Sequence, residues 1–227
     1  MAARKKRDIK IVGAIAVAMV LIGVLGVGGY LLYKQFGGPR GAAVAGPEQV
    51  IGPLDGSQPI VYGSTPAAKT VDIYLDFSCP HCANFEKKQG ANIQKLADSG
   101  EFQIAYHPLS FMKRPGASVS AANAFACAAQ RGFGQGYMQQ LFNNQGLEWT
   151  DRQLINLAQQ VGGPAADDIS GCISRDLNGA WVDAVNDGPK PADFTGTPAI
   201  YVGGTKVDDQ AWQGTPETFA EALRTTG

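Results

Sequence analysis

The chain has 227 residues, of which 44% are hydrophobic and 17% charged, and its formal net charge is −1 at pH 7. This near-neutral sum hides an asymmetry, because seven of the nineteen Lys and Arg residues lie within residues 1–40 beside a single acid. The remaining residues carry twelve basic and nineteen acidic side chains, and this excess of acids argues against nucleic acid as a partner.

The first predicted element is a membrane-spanning helix at residues 11–33. These 23 residues contain no charged side chain, and as a helix they would extend roughly 35 Å, against about 30 Å of bilayer hydrocarbon. Five of the first ten residues are Lys or Arg, so the positive-inside rule places residues 1–10 in the cytoplasm and the rest of the chain outside. The apolar segment is longer than that of a signal peptide, although small residues at 42–45 leave cleavage as an alternative.

Residues 34–58 are predicted to form a flexible linker between the membrane and a domain. Six Gly and three Pro occur within residues 36–58, a composition that offers little to pack and is typical of tethers. The part of the chain that follows, 59–227, is long enough for one domain with a sizeable core.

The domain opens with a strand, helix, strand pattern. Apolar runs at 59–62 and 70–77 are rich in residues that favour strands. Helical spacing begins at residue 80 and stops at the Ser99-Gly100 pair, and another strand pattern follows at 101–107. Two strands joined by a crossover helix form a βαβ unit, so these last two strands are predicted to pair in parallel.

An all-helical module, at about residues 115–190, is predicted to follow. It is rich in alanine and holds short amphipathic pieces separated by Gly or Pro, as short helices joined by tight turns require. These pieces lie at 120–130, 137–144, 151–161 and 179–185. A strand at 199–202, a hairpin turn at 203–204, a return strand from 206 and a last helix at 216–224 complete an α/β fold.

The sequence Cys79-Pro80-His81-Cys82 falls where the second predicted strand meets the helix. Cys79 would lie at the first helical turn, where unpaired backbone N–H groups and the helix dipole stabilise a thiolate. His81 adds a donor or a positive charge in the same turn, and Pro80 suits a position whose N–H has no partner. We therefore predict that Cys79 is a partly exposed nucleophile of depressed pKa and that Cys82 is more buried.

Three other uses of this cysteine spacing fit the sequence less well. Haem attachment needs a histidine directly after the second cysteine, where this chain has Ala83. Structural zinc needs about four ligands, and the chain has no second Cys-x-x-Cys and only two histidines. A purely structural bond would stabilise little, because the loop that it closes is so small. The motif therefore predicts a redox centre that uses its own disulfide, without a metal or another cofactor.

The other two cysteines, Cys127 and Cys172, are 45 residues apart in the helical module. Outside the membrane, an even number of cysteines favours disulfide bonds, so we expect these two to be bonded. By loop entropy such a bond contributes roughly 4 kcal/mol. Two separate buried thiols and a second exchange-active pair are the alternatives.

Together these features resemble a known family. The sequences CPHC at 79–82, YHPLSF at 106–111 and GTPAIYVGG at 196–204, with the helical insertion, are similar to DsbA-like thiol-disulfide oxidoreductases of the thioredoxin superfamily, particularly membrane-tethered Gram-positive and actinobacterial forms. The resemblance extends from about residue 59 to the end and implies a thioredoxin-like fold. It also implies a cis bond between Thr197 and Pro198, which would face Cys79 and offer backbone to an extended substrate segment.

One position departs from this family. Some members have a buried carboxylate six residues before the first cysteine, where this chain has Ile73. Asp72 and Asp76 lie nearby on the other face of the strand. A proton relay for Cys82 is left open for either of them, and for Asp76 the alternative is a solvated side chain at the strand end.

Four residues around the end of the strand at 101–107 are interpreted as structural. A lone histidine near a strand end, such as His107, is more often hydrogen-bonded structure than a catalyst. Tyr106, Phe111 and Met112 are expected to pack, with the rim of a substrate groove as the alternative.

The resemblance implies an extracytoplasmic enzyme that transfers its Cys79–Cys82 disulfide to reduced exported proteins. A quinone-linked membrane partner of DsbB or vitamin K epoxide reductase type would reoxidise it. Disulfide reduction or isomerisation by the same cysteines is the first alternative, because the difference rests on the degree of thiolate stabilisation. The second is a tethered chaperone or binding module, in which the cysteines have no catalytic role.

Overall fold

The computed structural model describes residues 53–63, 69–113, 116–146 and 148–227. The predicted membrane span at 11–33 and most of the predicted linker at 34–58 lie outside these residues. Within the described part of the chain, no helix has both the length and the hydropathy that crossing a bilayer requires.

The described strands form one mixed sheet in the order β1-β3-β2-β4-β5. They are β1 (Ile60–Tyr62), β2 (Lys69–Asp76), β3 (Phe102–Leu109), β4 (Ala199–Val202) and β5 (Thr205–Lys206). The strands β2 and β3 pair in parallel, which confirms the predicted βαβ unit, and the other pairings are antiparallel. Strand β2 is therefore an inner strand, with β3 on one side and β4 on the other.

Helices occupy both the crossover and the segment between β3 and β4. In the described residues they are α1 (Pro80–Asp98), α2 (Ala117–Ala129), α3 (Gly134–Asn143), α4 (Asp151–Gly162), α5 (Ile169–Ser174), α6 (Gly179–Asp187) and α7 (Pro216–Thr225). Helices α2 to α6 follow β3 and precede β4, so the predicted insertion of a helical module into an α/β frame is confirmed. The sequence pattern does not predict α5, because six residues are too few to show a helical period.

The junction of β2 and α1 positions the Cys-x-x-Cys motif. Every residue of β2 from Ile73 to Asp76 is buried, as expected for an inner strand that is covered on both faces. After a three-residue turn, α1 begins at Pro80, whose ring suits the first helical position, and Cys79 is the N-cap at φ −82° and ψ 117°. The N–H of Cys79 donates to the Asp76 carbonyl at 2.9 Å and closes the turn.

Aromatic contacts hold this junction from two directions. Phe85 of α1 meets Trp212 and Phe219 edge to face, with ring centroids 5.8 and 6.0 Å apart. Phe77, in the turn itself, meets Phe125 of α2 at 5.5 Å. Such pairs contribute about 0.5–1.5 kcal/mol each beyond their burial. The motif is thus held between the C-terminal part of the chain and the helical module.

The hairpin between β4 and β5 turns at Gly203 and Gly204, as predicted. Their φ angles are 57° and 80°, in the left-handed region that a two-residue turn requires at both positions to match the twist of the strands. Glycine adopts these angles without steric strain.

Candidate active site

Cys79 and Cys82 are free thiols at the first turn of α1. Cys82 is fully buried and Cys79 is 3% exposed, whereas Pro80 and His81 between them are exposed. The predicted greater burial of Cys82 is confirmed, but the prediction that Cys79 is partly exposed is wrong. The physical reason is the loop before β4, where the Thr197 carbonyl oxygen lies 3.3 Å from Cys79 Sγ, close enough to accept a hydrogen bond from the protonated thiol, and occupies space that solvent would otherwise fill.

Hydrogen bonds lower the pKa of Cys79 to about 5. The largest contribution is the hydrogen bond donated by the Cys82 thiol, and smaller ones come from the Thr197 side chain and from the backbone N–H groups of Cys82 and His81. Burial acts in the opposite direction, because the thiolate loses solvation. The predicted depression of this pKa is confirmed, but its main source is the second cysteine, and His81 contributes through its backbone.

The pKa of Cys82 is raised, chiefly by burial and further by the hydrogen bond and the charge of Cys79. The two sulfurs are thus coupled, and the proton that they share at neutral pH resides on Cys82. A single arrangement therefore stabilises a thiolate on the first cysteine and keeps the second protonated.

The peptide bond between Thr197 and Pro198 is cis, as the resemblance implies. Both residues are half-buried. Thr197 contacts Cys79 although the two residues are 118 positions apart in the chain. The structure therefore brings the Cys-x-x-Cys motif and the predicted Thr197–Pro198 loop into one site.

Asp76 is completely buried, so the alternative of a solvated side chain at the strand end is wrong. Its Oδ1 accepts hydrogen bonds from Ser118 Oγ at 2.7 Å and from the Ser78 N–H at 2.8 Å. Its Oδ2 accepts one from the Met112 N–H at 3.0 Å. These donors compensate for the lost solvation of the carboxylate. Asp76 thereby ties the turn to the loop after β3 and to the start of α2, and a proton relay to Cys82 stays a prediction.

His107 lies on β3, and its Nε2 is 2.9 Å from Asp72 Oδ1. Its ring stacks on Tyr74 with the centroids 4.2 Å apart. The interpretation of His107 as hydrogen-bonded structure is confirmed. Among the described residues, no group of three or more His, Cys, Asp or Glu side chains is placed to hold a metal ion.

Two side chains after β3 differ from their predicted packing. Tyr106 is buried as expected, but Phe111 and Met112 are 47% and 46% exposed, so the expectation that these two pack in the core is wrong. The backbone N–H of Met112 is bound by Asp76, which holds the loop in place while the side chain remains outside the core. The rim of a substrate groove stays a prediction for both residues.

The disulfide bond between Cys127 and Cys172 is present and joins α2 to α5. This confirms the predicted pairing and excludes two separate thiols. Both cysteines are buried, and Asn178 Nδ2 lies 3.3 and 3.4 Å from their sulfur atoms, within donating distance. These contacts indicate a structural bond, and a second exchange-active pair stays the alternative.

Glu86 is a buried acid near the motif that the sequence analysis does not identify. It lies four residues after Cys82 on α1, is 7% exposed, and has a buried Oε2 without a hydrogen-bond partner among the described residues. Its Oε1 would be only 2.1 Å from a Cβ at Gly90, so the carboxyl points along the helix away from Cys82. Burial raises the pKa of Glu86 to about 7. The signal that could have identified it is its spacing of four residues from Cys82, which places both side chains on the same face of the helix.

We expect Glu86→Gln to raise the free energy of unfolding by up to about 3 kcal/mol at pH 8 and to change it little at pH 4. The carboxyl has a pKa of about 7 when folded and an ordinary value of 4.5 when exposed. The folded state is therefore penalised only as the pH rises through this window, and the penalty is constant above it. Denaturant unfolding at several pH values measures the difference.

The matched control for this prediction is Asp98→Asn. Asp98 is exposed at the last residue of the same helix, so its substitution should change stability by less than about 0.5 kcal/mol at either pH. An equal gain from Glu86→Gln at both pH values would show that desolvation of the carboxylate is not its source.

Gln145 is a second residue near the site that the sequence does not indicate. It follows α3, and its Nε2 donates hydrogen bonds to the Phe77 carbonyl at 3.0 Å and to the Cys79 carbonyl at 2.8 Å. The partners are 68 and 66 residues away along the chain. Because no local pattern links such distant positions, only the folded chain identifies this contact.

Comparison with known families and structures agrees with this geometry. A sequence model of the family described as Thioredoxin matches residues 56–224. The MdbA thiol-disulfide oxidoreductase from Actinomyces oris has 24% sequence identity and a TM-score of 0.62, over 76% of this chain and 92% of that one. DsbA from Mycobacterium tuberculosis, in its reduced form, has 21% identity and a TM-score of 0.60, over 74% of this chain and 98% of that one. At these identities the solved structures establish a thioredoxin-like fold.

A curated relative shows a partial match. The serine/threonine-protein kinase PknE of Mycobacterium tuberculosis is 28% identical over 175 residues, which represent 67% of this chain and 30% of the kinase. This chain therefore spans less than a third of the length of that relative. The similarity concerns one part of the kinase and leaves the rest of it without a counterpart in the match.

Proposed function

Since this chain belongs to the thioredoxin family, we propose that it is an extracytoplasmic dithiol oxidase that introduces disulfide bonds into exported proteins. The observation that carries the proposal is that the pKa values of the two neighbouring thiols are shifted in opposite directions. The pKa of Cys79 is lowered to about 5, and that of Cys82 is raised by burial and by its neighbour. A low pKa at the first cysteine favours the reduced form of the pair, which makes the disulfide a strong oxidant.

The reaction starts from the Cys79–Cys82 disulfide. A substrate thiolate attacks Cys79 Sγ, the bond to Cys82 breaks, and the departing Cys82 sulfur takes a proton. The second substrate thiolate then attacks the substrate sulfur of the mixed disulfide and expels Cys79 as a thiolate. Two electrons pass from the substrate to the protein, and the substrate leaves with its own disulfide.

The lowered pKa of Cys79 makes the Cys79–Cys82 disulfide more oxidising. At pH 7, a pKa of about 5 stabilises the reduced pair by about 3 kcal/mol relative to an ordinary un-ionised thiol. For a two-electron couple this corresponds to about 60 mV of additional oxidising potential. The contribution is complete above the ordinary thiol pKa and is lost as the pH falls through 5, because the reduced pair then binds the proton again.

The proposed setting is the outer side of a membrane. The apolar segment at 11–33 and the basic residues before it support a single-pass anchor with a cytoplasmic N-terminus. The Cys127–Cys172 bond supports an oxidising compartment. Reduced exported proteins are the proposed substrates. An extended segment of the substrate would pair with the backbone at Thr197 through main-chain hydrogen bonds. A quinone-linked membrane protein of DsbB or vitamin K epoxide reductase type is the proposed reoxidant.

Titration and redox equilibrium of the full-length protein in detergent test this proposal. We expect the ultraviolet absorbance of the Cys79 thiolate to titrate near pH 5 in the reduced protein and to be absent in Cys79→Ser. In glutathione buffers, the Cys79–Cys82 pair should have a potential well above the roughly −270 mV of thioredoxin. A thiol of ordinary pKa, or a potential near that of thioredoxin, would contradict the oxidase and favour a reductase.

A further inference from the structure

The turn that carries Cys79 is connected to the helical module by one side-chain amide. Gln145 follows α3, is half-buried, and donates from the same Nε2 atom to the carbonyls of Phe77 and Cys79 at 3.0 and 2.8 Å. Both distances are typical of well-formed hydrogen bonds. The two carbonyls lie on either side of Ser78, so one amide spans the turn between β2 and α1.

The Cys79 carbonyl is important because Cys79 is the N-cap of α1. As the N-cap residue it has extended backbone angles, and its carbonyl accepts the first helical hydrogen bond, from the Ala83 N–H at 3.2 Å. The direction of this carbonyl and the angle ψ at Cys79 are coupled, because both depend on rotation about the same bond. A second donor on the carbonyl therefore restricts the backbone that places the Cys79 sulfur.

The sulfur depends on that placement for its stabilisation. Its donors are the Cys82 thiol, the Thr197 side chain and two backbone N–H groups of the first helical turn. Hydrogen bonds weaken steeply when the donor, hydrogen and acceptor leave alignment. A small rotation of Cys79 would therefore weaken several of these contacts together.

The other side of the turn is held by the same helical module. Ser118, in the first turn of α2, donates to Asp76 Oδ1 at 2.7 Å and lies 2.9 Å from Ser78 Oγ. The turn is consequently held at both of its ends by residues that lie outside the βαβ unit. Of these contacts, only that of Gln145 reaches the backbone of the reactive cysteine itself.

We propose that Gln145 is a positioning residue for the Cys79 sulfur, and that the helical module sets the redox reactivity of the motif through it. The proposal rests on the proposed oxidase function. Gln145 touches no reacting atom and acts through the carbonyl of Cys79.

Two substitutions separate the donor from the volume of the side chain. Gln145→Met retains a similar volume without a donor, and Gln145→Glu replaces the donor by a negatively charged acceptor that faces two carbonyl oxygens. We expect the thiolate midpoint of Cys79, the pH at which half of the thiol is ionised, to rise in both variants. The rise corresponds to an about tenfold higher proton affinity in Gln145→Glu and to a smaller increase in Gln145→Met. The equilibrium constant with glutathione at pH 7 should shift by the same factors, so that tenfold corresponds to about 30 mV.

Asn144→Ala is the matched control. Asn144 is the preceding residue, is exposed, and donates to the Gln140 carbonyl at 2.9 Å within its own helix end. This substitution should leave both the thiolate midpoint and the glutathione equilibrium unchanged within twofold.

The measurements use the reduced full-length protein in detergent, with unfolding measured in parallel. Reduced stability of the Gln145 variants with an unchanged thiolate midpoint would overturn the proposal, because a merely structural contact predicts that result. The test is separate from that of the proposed function. If the wild-type midpoint lies near the ordinary thiol value, the oxidase fails, whereas the difference between wild type and variants still decides the role of Gln145.

Discussion

Replacing Cys79 by serine is expected to reduce the rate at which a dithiol substrate peptide is oxidised to the rate of its uncatalysed oxidation in buffer. A serine oxygen cannot form a disulfide, so the variant has no Cys79–Cys82 bond to accept two electrons from the substrate. The remaining Cys82 is fully buried with a raised pKa, so it is also a poor thiol for exchange. The measurement is the appearance of oxidised peptide with time, after wild type and variant have been treated with the same oxidant and freed of it; only the wild type then carries the Cys79–Cys82 disulfide. A wild-type protein that oxidises the peptide no faster than buffer, together with a Cys79→Ser variant that keeps its activity in vivo, would support the tethered chaperone or binding module instead.

Cys82→Ser is the matched substitution, and its expected behaviour differs. Its lone Cys79 thiolate attacks a disulfide of a substrate, expels one substrate thiolate and forms a mixed disulfide that has no second cysteine to resolve it. Covalent adducts that dithiothreitol releases should therefore accumulate with Cys82→Ser and be absent with Cys79→Ser. The opposite pattern would show that the nucleophile has been assigned to the wrong cysteine. The trapped proteins would also identify the substrates.

Removing the bond between Cys127 and Cys172 is expected to lower the free energy of unfolding by about 4 kcal/mol. The bond closes a loop of 45 residues between α2 and α5, and its loss allows the unfolded chain many more conformations. Since single domains are stable by about 5–15 kcal/mol, this is a large fraction of the total. Denaturant unfolding of Cys127→Ala/Cys172→Ala, followed by tryptophan fluorescence with the motif kept reduced, measures the change.

The same double variant tests whether this bond takes part in exchange. Because both sulfurs are buried in the helical module, we expect the thiolate midpoint of Cys79 and its glutathione equilibrium to be unchanged. A wild-type Cys127–Cys172 bond that is reduced at the same potential as the Cys79–Cys82 pair would instead favour a second exchange-active pair. A stability change below about 1 kcal/mol would contradict the loop-entropy argument.

Much of the site follows from short stretches of sequence. The strand before Cys79 and the helix from Pro80 are recognisable by residue type and spacing, and a proline at the first helical position is a local steric preference. The parallel pairing of β2 and β3 follows from their connection by a helix. The pairing of Cys127 with Cys172 follows from the cysteine count and the expected compartment.

The tertiary structure decides the surroundings of these residues. Cys79 is buried because a loop 118 residues away covers its sulfur, and Asp76 is buried because donors from the loop after β3 and from α2 satisfy it. The two carbonyls at the turn are bound by Gln145, from beyond α3. Burial and hydrogen bonding depend on which distant segments meet, and no periodicity along the chain encodes that.

The chain by itself therefore determines the reactive group, and the fold determines its strength. Sequence alone places two cysteines at the start of a helix, where backbone N–H groups favour a thiolate. The main stabilisation of Cys79 comes from the thiol of Cys82, whose own proton is retained because the folded core desolvates it. Desolvation is a property of the packed interior. The direction of the pKa shift at Cys79 therefore follows from the local sequence, whereas its size depends on the tertiary structure.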